Sequence, residues 1–125
     1  MLYEGSPFHP GPGALFDLVD ELKISVLGVG AKLIASWEKA GLVPRESHEL
    51  NSLVTLLSTG SPLAPASFDY VYRDIKQNLC LSSIAGGTDI VSCFLLGVPT
   101  LPVYPGQLQR PGLGVDLGPL AVDHN

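Results

Sequence analysis

Leu53-Val54-Thr55-Leu56-Leu57-Ser58-Thr59-Gly60-Ser61-Pro62-Leu63 decides the fold. Residues 53–57 are apolar enough to read as a buried strand. The turn that follows is built from glycine and small hydroxyl residues. Pro65 then suits the first turn of a helix, where its missing N–H loses no needed hydrogen bond. The same phrase returns in residues 79–84, a strand candidate that runs into Ser83-Ile84-Ala85-Gly86-Gly87-Thr88-Asp89. In a parallel sheet such strand ends meet at one edge and build a ligand crevice.

Outward from these phrases the pattern is helix and strand in alternation. Residues 14–22 place Leu15, Leu18, Val19 and Leu22 at helical spacing, with Asp17, Asp20 and Glu21 on the other face. A strand is predicted over 24–27, ending at a tight Gly28-Val29-Gly30 turn. A helix follows over 31–40, with Leu33, Ile34 and Trp37 on one stripe and Gly41 as its stop signal. Residues 42–51 read as a polar connection containing Pro44. The helix opened by Pro65 carries Phe68, Val71, Tyr72 and Ile75 as its buried stripe. Residues 90–96 read as a further short strand. The resulting class is α/β, a partial parallel sheet with helices on its faces and right-handed crossovers. Three or four such strands make a thin sheet with open edges. Residues 1–96 are expected to form the α/β segment. Residues 97–125 read as a Pro/Gly-rich tail of incomplete strand and loop, with Gly118 and Pro119 near its end.

The chain has 125 residues, at most one domain. It is 46% hydrophobic and only 15% charged, which is apolar for a free-standing domain and suits a piece that expects neighbours. A net charge of −5 with seven scattered Lys and Arg leaves no basic stripe, which argues against nucleic acid. No apolar run approaches the roughly 20 residues of a membrane span. The Pro/Gly-rich start lacks the basic and apolar regions of a signal peptide, which points to the cytosol. Cys80 and Cys93 lack a C-x-x-C partner and paired histidines, so they are expected as buried reduced thiols rather than zinc ligands. His9, His48 and His124 are expected at the surface. Trp37, Tyr70 and Tyr72 read as core and rim of the helices.

Three segments could carry chemistry. Gly28-Val29-Gly30-Ala31-Lys32 fails both glycine-loop tests: Leu33 stands where a third Rossmann glycine is needed, and the spacing is wrong for a phosphate-binding P-loop. It reads as a strand-to-helix turn or as one wall of the crevice. Gly60 has no side chain to block a ligand's approach, although alone the segment is also a simple turn before a proline-started helix. Gly86-Gly87 frees N–H groups to face an anion. Thr88 adds a hydroxyl for a phosphate, and Asp89 a carboxylate for magnesium. The bland alternative makes Asp89 a helix N-cap.

In order and spacing these residues resemble the adenylate-forming acid–CoA ligases, and within them the branch that takes acetoacetate. The likeness is carried by Leu2-Tyr3-Glu4-Gly5-Ser6-Pro7, Leu18-Val19-Asp20, Gly30-Ala31-Lys32, Leu56 to Leu63, Tyr70-Val71-Tyr72-Arg73, Ile84 to Ile90 and Leu101-Pro102-Val103-Tyr104. It spans nearly the whole chain and implies an internal fragment of the large N-terminal domain. The implied substrates are ATP, acetoacetate and coenzyme A, with Mg2+ present. An acyl-adenylate forms with loss of pyrophosphate, and the CoA thiol then displaces AMP. By position, the resemblance puts Gly60, Ser61 and Pro62 beside the adenosine. It puts Ser83, Ile84, Ala85, Gly86 and Gly87 along the adenine and acyl pocket, and Gly28, Val29, Gly30 and Ala31 at the acyl pocket, with Gly86 shared. Thr88 matches the hydroxyl on the α-phosphate and Asp89 the acidic residue near the metal. Small residues at Ala85–Gly86 suit an acid longer than acetate, although one methylene is worth only about 1–3 kcal/mol in an apolar pocket. The family's phosphate loop, ribose-binding Asp, hinge and C-terminal lysine domain have no counterpart in this sequence. The chain alone is therefore expected to be inactive. The rival expectation is a truncated or pseudogene-derived product that binds nucleotide weakly or docks on a partner through open sheet edges.

Overall fold

The computed structural model describes residues 1–117. The parts of the expected tail beyond that, including Gly118, Pro119 and His124, lie outside the described residues. The first half is an α/β layer: α1 (Ala14–Leu22), β1 (Val26–Gly30), α2 (Ala31–Lys39), a short α3 (Pro44–Ser47) and β2 (Thr55–Thr59). It continues with α4 (Pro65–Tyr70), which widens into a π-helical turn over Val71–Ile75, and β3 (Cys80–Ser83). Strands β1, β2 and β3 lie in that order and pair in parallel. The register sets Gly30 opposite Thr59 and Ser58 opposite Ser83, so the three strands end at one edge of the sheet.

The core explains why these elements form. Phe16 and Val19 of α1, Ile34 and Trp37 of α2, and Phe68, Tyr70, Val71 and Ile75 of α4 and its π-helical turn are all buried. They meet Leu56 and Leu81 of the sheet. The rings of Phe16 and Trp37 pack at a tilt with centroids 4.7 Å apart, a favourable aromatic geometry. Along β2, Leu56 and Ser58 are buried while Thr55 and Leu57 are half-exposed. That alternation marks one face turned to the core and one only partly covered.

Polar ties close the connections. The Asp20 carboxylate accepts from the Glu49 and Leu50 N–H groups at 3.1 and 2.8 Å, holding Leu50 at a left-handed φ of 52° before β2. Lys76 Nζ donates to the Leu50 and Leu53 carbonyls at 2.9 and 2.6 Å. His48, expected at the surface, instead has a side chain only 12% exposed. Its Nε2 meets Asp17 Oδ1 at 2.5 Å, and its Nδ1 meets Ser47 Oγ at 2.7 Å.

Several expectations are corrected. Both of the first two strands begin two residues later than predicted, at Val26 rather than residue 24 and at Thr55 rather than residue 53. Gly28-Val29-Gly30 is therefore strand, paired with Leu57, Ser58 and Thr59, and not a turn. The polar connection contains α3, nucleated by Pro44 at its first position. The predicted Gly86-Gly87 loop is a strand, β4 (Ala85–Gly87), antiparallel to β5 (Ser92–Leu96). That fourth run is thus not part of the parallel sheet. Nor is Asp89 a helix N-cap, because Thr88-Asp89-Ile90-Val91 is the hairpin turn, closed by Val91 N donating to Thr88 O at 3.2 Å. Cys80 and Cys93 are free thiols but half-buried, not buried.

The second sheet also enlists the tail. β6 (Arg110–Pro111) pairs antiparallel with β5, setting Leu96 opposite Arg110, so this sheet crosses the boundary expected at 96/97. Gly86 is needed in the hairpin because a Cβ there would collide with the Ser92 carbonyl oxygen and lie 2.9 Å from Cys93 Cα.

Candidate nucleotide cleft

The ends of β2 and β3 are adjacent by register, and the ladder runs one residue further: Ile84 N donates to Ser58 O at 2.9 Å. The turn after β2 breaks away at Gly60, whose φ of +88° is a conformation L side chains rarely adopt. The segment after β3 leaves for the second sheet through Ile84. Between the two lies a cavity of ≈ 300 Å³ lined by Thr59, Gly60, Ser61, Pro62, Ser83, Ile84, Ala85, Gly86 and Leu108. That volume falls at the lower end of the roughly 300–1,000 Å³ typical of small-molecule sites.

The lining has a clear chemical division. Thr59 and Ser61 bring hydroxyls from one turn. Ile84, Ala85 and Leu108 bring apolar surface. Among the described residues no Lys, Arg, Asp or Glu lines the cavity. Its walls therefore suit an uncharged, flat, partly polar group such as a nucleoside, and offer nothing to balance a phosphate chain.

The sequence-predicted residues divide accordingly. Gly60, Ser61, Pro62, Ser83, Ile84, Ala85 and Gly86 share the cleft. Gly87, Thr88 and Asp89 do not line it; the latter two sit exposed on the hairpin turn. Gly28 and Val29 line a different cavity of ≈ 470 Å³ at the free edge of β1, beneath the lead-in segment of Met1, Leu2 and Tyr3. Gly30 and Ala31 line neither. Among the described residues no group of three or more His, Cys, Asp or Glu is placed to hold a metal ion. No helix among them is long and apolar enough to cross a membrane.

Leu108 is the cleft residue that sequence reasoning missed. It lies in a stretch whose Pro and Gly content reads as structureless, and no local signal sets it apart. Tertiary contacts bring it in. Gly106, at φ +78°, rests its backbone on the start of α4, where an added Cβ would lie 3.1 Å from Pro65 Cγ. Gln109, next to Leu108, accepts from Val98 N at 2.6 Å, and its two Nε2–H groups are shared among the carbonyls of Val98, Leu101 and Pro102 at 3.2, 3.1 and 3.1 Å. Held at both ends, this strap lays Leu108 across the cleft.

No protein-family model matches the chain. Acetoacetyl-CoA synthetase of Gallus gallus is 51% identical over 115 residues, which cover 92% of this chain and 17% of that protein. The solved acetoacetyl-CoA synthetase from Streptomyces lividans superposes with a TM-score of 0.82 at 37% identity, over 90% of this chain and 18% of its own. The anthranilate CoA ligase AuaEII, solved in complex with anthranoyl-AMP, shares the fold at a TM-score of 0.73 and 18% identity, over 90% of this chain and 20% of its own. The chain thus spans a fifth or less of the length of the proteins it matches. On these likenesses the chain matches a segment of acetoacetyl-CoA synthetases over about nine-tenths of its own length and shares the α/β fold of that segment.

Proposed function

We propose that this chain supplies the nucleoside-facing edge of the adenylation site in an acetoacetate–CoA ligase. In that reaction the acetoacetate carboxylate attacks the α-phosphorus of ATP, and the bond to pyrophosphate breaks. The CoA thiol then attacks the acyl carbon, and AMP leaves. The observation that carries this reading is the meeting of Thr59, Gly60, Ser61 and Pro62 with Ser83, Ile84, Ala85 and Gly86 around one uncharged cavity. The adenine is assigned to the apolar wall of Ile84 and Ala85, and the sugar to the hydroxyls of Thr59 and Ser61.

The phosphates extend beyond this cavity. Thr88 is the hydroxyl assigned to the α-phosphate and Asp89 the carboxylate assigned to magnesium, which takes one or two carboxylates and keeps several waters. Both stand on the exposed hairpin turn outside the cavity. Gly28, Val29, Gly30 and Ala31 are assigned to the acyl side. We place the reaction in the cytosol, feeding lipid metabolism.

The 125-residue chain alone is expected to bind nucleotide without turning it over. Charge developing on transferred phosphoryl groups must be met by fixed donors and cations, and among the described residues no group of three or more His, Cys, Asp or Glu is placed to hold a cation. The test is ATP–pyrophosphate exchange with and without acetoacetate. Background exchange in both cases is expected. Acetoacetate-dependent exchange would overturn the claim of inactivity.

A further inference from the structure

Leu108 lines two cavities at once. One is the cleft between the β2 and β3 turns. The other, of ≈ 250 Å³, lies on the far side of the strap and is lined by Leu101, Pro102, Tyr104, Gln107, Leu108, Gln109 and Arg110. Leu108 is thus a partition, half-buried between a nucleoside-sized space and a neighbouring one. Its position is fixed from both directions, by Gly106 against Pro65 and by the hydrogen bonds of Gln109. A leucine so held does not move aside as a loose loop residue would.

We propose that Leu108 is a specificity-determining residue of the cleft, and that it limits the bulk carried on the exocyclic edge of the bound purine. The proposal rests on the nucleotide reading given above and extends it to a residue outside the two strand-end turns. Trimming Leu108 removes the wall and joins the two cavities. The enlarged site should then accept a purine nucleotide bearing a large apolar substituent, which can reach the space beside Tyr104 and Leu101. Gln109 is a positioning residue in this arrangement: it touches the 98–102 segment and holds its neighbour in place.

The probes are AMP and N6-benzyl-AMP, titrated into the full 125-residue chain and into its Leu108→Ala variant, with binding read by methyl-resolved NMR. In the unaltered chain AMP should shift the methyl resonances of both Ile84 and Leu108, and N6-benzyl-AMP should bind at least tenfold more weakly than AMP. Leu108→Ala should bring the two affinities to within threefold or reverse them. Gln109→Ala should narrow the difference in the same direction by loosening the strap. If AMP shifts Ile84 but leaves Leu108 unmoved, or if Leu108→Ala leaves the affinity ratio unchanged, the partition role is overturned while the nucleotide reading stands. Should Leu108→Ala fail to fold, the Leu108 shifts in the unaltered chain decide the question alone. If neither nucleotide shifts Ile84, the nucleotide reading falls and takes this inference with it.

Discussion

Gly97 lies against Ser82: a Cβ at position 97 would run into the Ser82 hydroxyl and Cβ. Ser82 is buried on β3, and Gly97 follows the last residue of β5. This contact seats the exit of the antiparallel sheet on the parallel one. Gly97→Ala should therefore push the two sheets apart. Overpacking of this kind costs about 1–3 kcal/mol, so the midpoint of urea unfolding should fall. Paired replacement with Ser82→Gly should recover part of the loss, because it removes the atoms that the new methyl meets.

The Tyr70 hydroxyl donates to the Leu42 carbonyl at 2.8 Å, tying α4 to the segment after α2. Burial, followed by the charges of Asp74 and Glu38, pushes the Tyr70 pKa up to about 12, and burial also raises that of Tyr72. For both groups the folded state holds the proton more tightly than the unfolded chain does. Their contribution is therefore fully present below pH ~10, the ordinary tyrosine range. It is lost as pH rises toward 12 for Tyr70. Tyr70→Phe should flatten this alkaline decline. It should also cost about 1–2 kcal/mol at neutral pH, since the Leu42 carbonyl loses its donor.

Removing the Asp20 carboxylate should loosen the entry to β2. Its oxygens serve the N–H groups of Glu49 and Leu50, which have no strand partner there. Asp20→Ala is expected to cost roughly 1–3 kcal/mol. Hydrogen exchange at the Leu50 amide should rise more than at Leu56, which is buried on the central strand β2. Equal acceleration at both would mean that the carboxylate acts globally rather than locally.

Ser58 presents the opposite case. Its Oγ is fully buried and has no hydrogen-bond partner among the described residues. A buried hydroxyl in that state costs stability relative to an apolar side chain of similar size. Ser58→Ala should leave stability unchanged or raise it by up to about 1 kcal/mol. A clear loss of stability would show that the hydroxyl is satisfied in solution.

Legibility from sequence followed the range of the interactions. Ala14–Leu22 was readable to the residue, because α1 is set by its own amphipathic spacing and Lys23 ends it in a left-handed cap. The apolar runs mark β1 and β2 but start each strand two residues early and end β1 three residues early. Ile24 and Leu53 are apolar because they pack on the core ahead of the strands, and apolar character alone does not distinguish the two roles. Gly86-Gly87 misled most. Two glycines at a strand end read as a free loop, whereas the structure uses Gly86 for close approach to Ser92 and Cys93 across the hairpin. Arg110–Pro111 as a strand, and Leu108 as a cleft wall, depend on pairing with β5 and on Gln109 bonds to residues 98–102. None of that leaves a local periodicity. The convergence of Gly60–Pro62 with Ser83–Gly86 was legible, because parallel strands of an α/β layer end on the same side.

A shared nucleoside cleft is tested by an AMP titration of the 125-residue chain followed by backbone amide NMR. Gly60 and Ser61 on one turn, and Ile84 and Ala85 on the other, should shift together along one saturation curve. Shifts confined to a single turn, or curves with different midpoints for the two turns, would contradict a shared nucleoside cleft.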